Sequence, residues 1–202
     1  MRLLSTSEFA AELASPYSES ELARSELVID GKRTGIVVTG AVLEAALAWH
    51  NYRLAFLTDD IPFEETLRIY MFDSDLKTVD TASLGAMYST GTFAELKLQP
   101  PNAVTFRFFG GIIWRMVLLT EQEFALPCLS DPSGVHRPFK FLRQFRVEGK
   151  PQPESARSAA RDKLEDALLE GLRSEESLLT AEDWKAIRDE SHAKLAERQK
   201  PR

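Results

Sequence analysis

A chain of 202 residues, 44% hydrophobic and 28% charged, is long enough to bury a substantial core and falls within the range of one or two globular domains. A formal net charge of −6 weighs against general binding to a nucleic-acid backbone, and the single cysteine, Cys128, excludes an internal disulfide framework. No apolar run reaches the roughly 18 residues of a membrane span, and residues 1–18 lack an apolar stretch of signal-peptide length, so the expectation is a cytoplasmic protein with no membrane segment.

Residues 5–14 predict a short helix, with Ser5 or Thr6 as cap, Glu8 in the first turn, and Phe9 and Leu13 four apart on one face. Strand signals begin at Glu26. Leu27, Val28 and Ile29 precede Asp30-Gly31, and residues 36–39 return, which predicts a hairpin with a long turn over residues 30–35. The alanines of residues 41–57 favour a helix by propensity. The alternation of Leu43, Ala45, Leu47 and Trp49, then Tyr52, Leu54 and Phe56, predicts two strands instead. Residues 67–72 and 78–84 predict two further strands around a turn at residues 73–75.

The organising stretch is residues 92–120, expected to form three consecutive strands. Gly110-Gly111 suits a two-residue primed turn. That turn sets Phe109 opposite Ile112, Arg107 opposite Trp114 and Val104 opposite Val117. One face then holds Val104, Phe106, Phe108, Ile113 and Val117, and the other Phe109, Ile112, Trp114, Met116 and Leu118. A hairpin apolar on both faces must be covered on both. The same register predicts cation–π stacking of Arg107 on Trp114 and of Arg115 on Phe106. Phe139, Phe141, Arg143 and Phe145 open a last strand with a basic edge.

The sequence GKPQP at residues 149–153 marks a boundary between a β-rich domain, residues 1–149, and a C-terminal segment, residues 150–202. Residues 155–173 predict an amphipathic helix with Ala156, Ala160, Leu164, Leu168 and Leu172 spaced by four, and Thr180 caps a second, more thinly striped one carrying Trp184, Ile187 and Leu195. The expected fold class is therefore α+β: an antiparallel β-sandwich or open barrel, with a short N-terminal helix and a two-helix C-terminal segment.

No nucleotide-binding, hydrolase or zinc-protease fingerprint is present, and His50, His136 and His192 stand in separate segments with no second ligand at metal spacing, so no metal or cofactor is expected. Cys128 precedes His136 by eight residues, a pairing able to make a thiolate nucleophile, but its setting between Pro127 and Leu129 reads as a small apolar side chain. Asp59, Asp60, Glu64 and Glu65 form the densest acidic loop. They read as a solvated turn or as a negative patch that steers a basic partner.

The stretch RDKLEDALLEGLRSEESLLTAEDWKAIRDESHAKLAERQK resembles the tails of ParD-type antitoxins, in which a helix ending in a Leu-x-x-Gly-Leu-like step is followed by a polar link and a charged helix with an early aromatic. The resemblance implies a tail that wraps a small basic toxin, with Leu168, Leu172, Trp184, Ile187 and Leu195 as anchors. It covers about a quarter of the chain. ParD antitoxins begin with a ribbon-helix-helix domain, and residues 1–150 are β-rich, so DNA binding does not carry over.

The leading expectation is a non-catalytic module that binds, and neutralises or sequesters, a small basic protein. It is motivated by the lack of a catalytic constellation, the acidic balance and a sparse tail that needs cover. The alternatives are a structural or small-ligand β-sandwich that homodimerises through its tail, and an enzyme using Cys128 with His136 or the acidic loop.

Overall fold

The computed structural model describes residues 1–18, 20–61, 65–86, 91–127 and 129–151, all within the first of two units, Met1–Gln152. Thirteen strands account for the regular structure of the described residues: β1 (Arg2–Leu3), β2 (Phe9–Ser15), β3 (Arg24–Ile29), β4 (Lys32–Thr39), β5 (Val42–Trp49), β6 (Tyr52–Thr58), β7 (Leu67–Phe72), β8 (Thr78–Leu84), β9 (Ala94–Gln99), β10 (Ala103–Arg107), β11 (Ile113–Phe124), β12 (Val135–His136) and β13 (Leu142–Glu148). They form three antiparallel sheets, in the orders β1-β5-β6-β7-β8-β12, β13-β11-β10-β9 and β2-β3-β4. Among the described residues there is no helix, so the class is all-β and the α+β expectation is corrected. None is long and apolar enough to cross a membrane. The two expected C-terminal helices lie outside the described residues.

The six-stranded sheet is buried on both faces. Along β6, Leu54 and Phe56 enter one core with Ile69, Val104, Phe106, Trp114 and Met116, while Ala55 and Leu57 enter a second with Phe9, Leu27 and Val38. The four-stranded sheet therefore packs on one side of the central sheet and the three-stranded sheet on the other, which explains why residues 54–57 of β6 are all apolar.

Residues 5–14 are not helical because tertiary pairing overrides a weak local signal. A turn at residues 5–8 leads into β2, which pairs with β3 from Phe9↔Ile29 to Ser15↔Arg24 and sends Phe9 into the second core. The four-residue spacing of Phe9 and Leu13 carries no buried face, since Leu13 is 55% exposed. The β3–β4 turn is shorter than expected: Asp30 and Gly31, with φ of 49° and 73°, form the whole loop. The two strands expected in residues 41–57 are present, and a bulge between Leu43 and Ala45 moves Leu43 to the second core.

The central hairpin is displaced by one residue from its expected register. Gly110 and Gly111 both have positive φ, 81° and 69°, but the loop is longer and the pairs are Val104↔Met116, Phe106↔Trp114 and Arg107↔Ile113. The indole Nε1 of Trp114 donates to the Phe109 carbonyl at 3.0 Å, closing that wider loop. A one-residue shift exchanges faces. Val104, Phe106, Trp114, Met116 and Leu118 share the core face, and Ile113 is left 61% exposed. Neither expected cation–π pair forms: Arg107 pairs with Glu95 and Arg115 with Glu148, at 3.1 and 2.8 Å.

Candidate functional site

The edges of the central and four-stranded sheets meet where β8 approaches β13. Edge strands carry N–H groups that need acceptors. Asp80, on the inward side of β8, supplies them: its carboxylate accepts the backbone N–H of Thr81 (2.8 Å), Gln144 (2.7 Å) and Phe145 (3.3 Å). Arg137, following β12, donates through Nη1 to Asp80 at 3.0 Å and to the Thr81 carbonyl at 3.3 Å, and through Nη2 to the Phe145 carbonyl at 3.0 Å. Its guanidinium lies 4.3 Å above the Phe145 ring. Asp131 accepts from Arg137 Nε at 3.2 Å and from Arg143 Nη1 at 2.6 Å. The four side chains are 4–8% exposed. Burial draws Arg137 below the usual guanidinium pKa, opposed by the charges of Asp80 and Asp131.

Beside this network lie two clefts that share Arg137, Pro138 and Arg143. One, of about 200 Å³, is bounded by Thr78, Asp80, Lys140 and Leu142; the other, of about 320 Å³, by Asp131, Ser133, His136 and Phe139. Lys140 Nζ donates to the Val79 carbonyl at 2.8 Å. A third hollow, of about 300 Å³, lies beside the β5–β6 turn near Arg2, Glu8 and His50, where Arg2 and Glu8 are occupied with each other.

The third element is apolar and exposed. Between Leu118↔Phe145 and Glu123↔Arg143, residues 119–122 oppose Gln144 alone, and the Gln144 amide donates to the Leu119 carbonyl across this bulge. Beyond it β11 and β13 continue as a two-stranded ribbon. Phe124 stacks on Phe141 (5.9 Å between centroids), and Phe139 meets Phe141 edge-on (5.4 Å). Phe124 is 69% exposed and Phe139 78%, with Leu126, Leu129 and Leu142 also open to solvent.

The acidic loop behaves differently from its sequence reading. Asp59 is buried and bidentate to Arg68, Nε to Oδ1 and Nη2 to Oδ2, each at 2.7 Å. Glu65 Oε1 accepts the backbone N–H of Asp59 and Asp60 at 2.7 and 3.0 Å, and burial raises its pKa against those hydrogen bonds. Asp60 alone of the described acids of this loop is exposed. Glu64, Cys128, His192 and the anchors Leu168, Leu172, Trp184, Ile187 and Leu195 lie outside the described residues. His50 and His136 are exposed and far apart in the chain, His50 in the β5–β6 turn and His136 at the end of β12; among the described residues no His, Cys, Asp or Glu group is arranged to hold a metal.

Sequence reasoning missed Asp80, Asp131 and Arg137. The signal for Asp80 was its period: it shares the inward side of β8 with Ala82 and Leu84. A carboxylate at a core position implies a buried cation. The chain matches no protein-family model, no curated protein and no solved structure.

Proposed function

We propose that this chain is a protein-binding module whose partner docks on the Phe124–Phe141–Phe139 surface. One observation carries the reading: three aromatic rings, Phe124 at the end of β11 and Phe139 and Phe141 in the segment leading into β13, pack on each other and stand in solvent at the sheet edge. Clustered exposed apolar groups on a soluble domain are characteristic of an interaction site, and rigid aromatic rings bury large area at little entropic cost. The charges around the patch are mixed: Lys140 lies between two of the rings in sequence, and exposed Glu123, next to Phe124, lies 3.5 Å from Arg146. That surround suits a mainly apolar partner segment with an acid opposite Lys140. Asp59 offers no charge to a basic partner, since it is committed to Arg68.

Sequestration or neutralisation of the partner, in the cytoplasm, is the role this reading assigns. The C-terminal anchors named from the ParD-like stretch are offered as a further contact on sequence grounds. The test is comparative affinity capture with the intact chain and with Phe124→Ser/Phe139→Ser/Phe141→Ser. A protein retained near one-to-one by the natural chain and lost by a folded triple variant supports docking at the patch. Identical captured sets oppose it, and concentration-dependent self-association abolished by the variant replaces the partner with a second copy.

A further inference from the structure

We infer that Arg143, with Lys140, forms a binding site for a carboxylate in the cleft between β8 and β13. Arg143 is 4% exposed, Nη1 is held by Asp131 at 2.6 Å, and its buried Nε has no hydrogen-bond partner among the described residues. A buried donor without an acceptor is costly and rare, most so on a charged group. The Nε–Nη2 edge of a guanidinium is the one that takes a carboxylate side-on. Arg68 provides the satisfied case in the same protein, holding both oxygens of Asp59 through that edge at 2.7 Å.

The charge count points the same way. The cleft and its network gather Arg137, Arg143 and Lys140 against Asp80 and Asp131, leaving one positive charge uncompensated. Arg137 makes four hydrogen bonds, to Asp80, Asp131 and two carbonyls, and its charge faces both carboxylates, so the deficit falls on Arg143 and Lys140. Glu123, opposite Arg143 in the ladder, is directed to Arg146 at 3.5 Å. One carboxylate completes both the hydrogen-bonding and the charge of the cleft. Phe139 borders the companion cleft, so an acidic side chain of a partner seated on the aromatic patch is within the same neighbourhood. That last assignment rests on the proposed function, whereas the carboxylate site itself does not.

The experiment is titration of the ¹⁵N-labelled full chain with acetate at constant ionic strength, following the Arg143 Nε–H resonance, with chloride as reference. A saturable shift is expected with acetate and not with chloride. Lys140→Ala, which leaves the Asp80–Arg137–Asp131 network intact, should weaken binding about tenfold, the loss of one charged contact. Arg143→Lys, keeping the charge without the fork, should abolish the saturable shift of the neighbouring Gln144 backbone amide, which is followed in both proteins because the variant lacks the Nε–H. No saturable shift, an unchanged affinity in Lys140→Ala, or a preference for inorganic phosphate over acetate overturns the proposal. A short acidic-aromatic peptide distinguishes the source. Tighter binding than acetate that is lost in Phe139→Ser assigns the carboxylate to a docked protein, and equal affinity assigns it to a small free carboxylate.

Discussion

Replacing Asp80 with alanine tests whether the buried charge network holds two sheets together. The substitution removes the acceptor for three backbone N–H groups at 2.7, 2.8 and 3.3 Å, and one of the two carboxylates that neutralise Arg137. Removing one partner of a buried pair costs about 3–5 kcal/mol because the remaining charge is left without compensation. Asp131 still holds Arg137, so the expected loss lies at the lower end, about 3 kcal/mol. In urea, with a dependence of about 2 kcal/mol/M, the midpoint falls by about 1.5 M at unchanged slope. Arg115→Ala is the reference: its pair with Glu148 is exposed on both sides and is worth about 0–1 kcal/mol. Equal midpoint shifts for Asp80→Ala and Arg115→Ala would refute the idea that the network is a structural joint. Adding Arg137→Met to Asp80→Ala should recover part of the loss, since the unpaired charge is then gone.

Gly134→Ala is expected to destabilise by about 1–3 kcal/mol in thermal or urea melts, because φ is 81° and an added Cβ would stand 2.4 Å from the Phe109 ring. Gly111→Ala, at φ 69° with open space, should lose only the backbone preference of about 1 kcal/mol. Glu8 accepts from Arg2 and from Ser5, which lowers its pKa from 4.5 to about 2. The depressed value means that the turn at residues 5–8 gains from ionised Glu8 above pH 4.5 and loses that gain as pH falls towards about 2. Carboxyl-carbon NMR should place its midpoint near 2, and Arg2→Ala should move it towards the ordinary value. Phe139→Ser, at a ring 78% exposed, should leave the stability measured by urea unfolding within about 0.5 kcal/mol of the natural chain.

Strand positions were legible where a short run of bulky residues is bounded by turn residues, as in residues 67–72, with 78–84 following as the return across the turn at residues 73–75. Register was less so. Gly110-Gly111 advertises a two-residue turn, but the Trp114 indole closes a wider loop onto the Phe109 carbonyl, a contact with no local sequence pattern. The N-terminal helix failed for a related reason: a seven-residue strand whose outer face is solvent shows spacings that also fit a helix, and only pairing with β3 decides. The candidate site was barely visible, since Asp80, Asp131, Arg137 and Arg143 come from four separate segments, 63 positions from Asp80 to Arg143, and meet only after the two sheets dock. The basic edge of residues 140–146 was noted in the sequence; its function as the lining of a cleft required the fold.

Site-specific photo-crosslinking from position 139 tests the docking surface most directly. With a photoreactive phenylalanine analogue in place of Phe139, a discrete protein adduct is expected, absent when the same group replaces Val37, which is 49% exposed on the three-stranded sheet. No adduct at position 139, or the same adducts from both positions, contradicts the account.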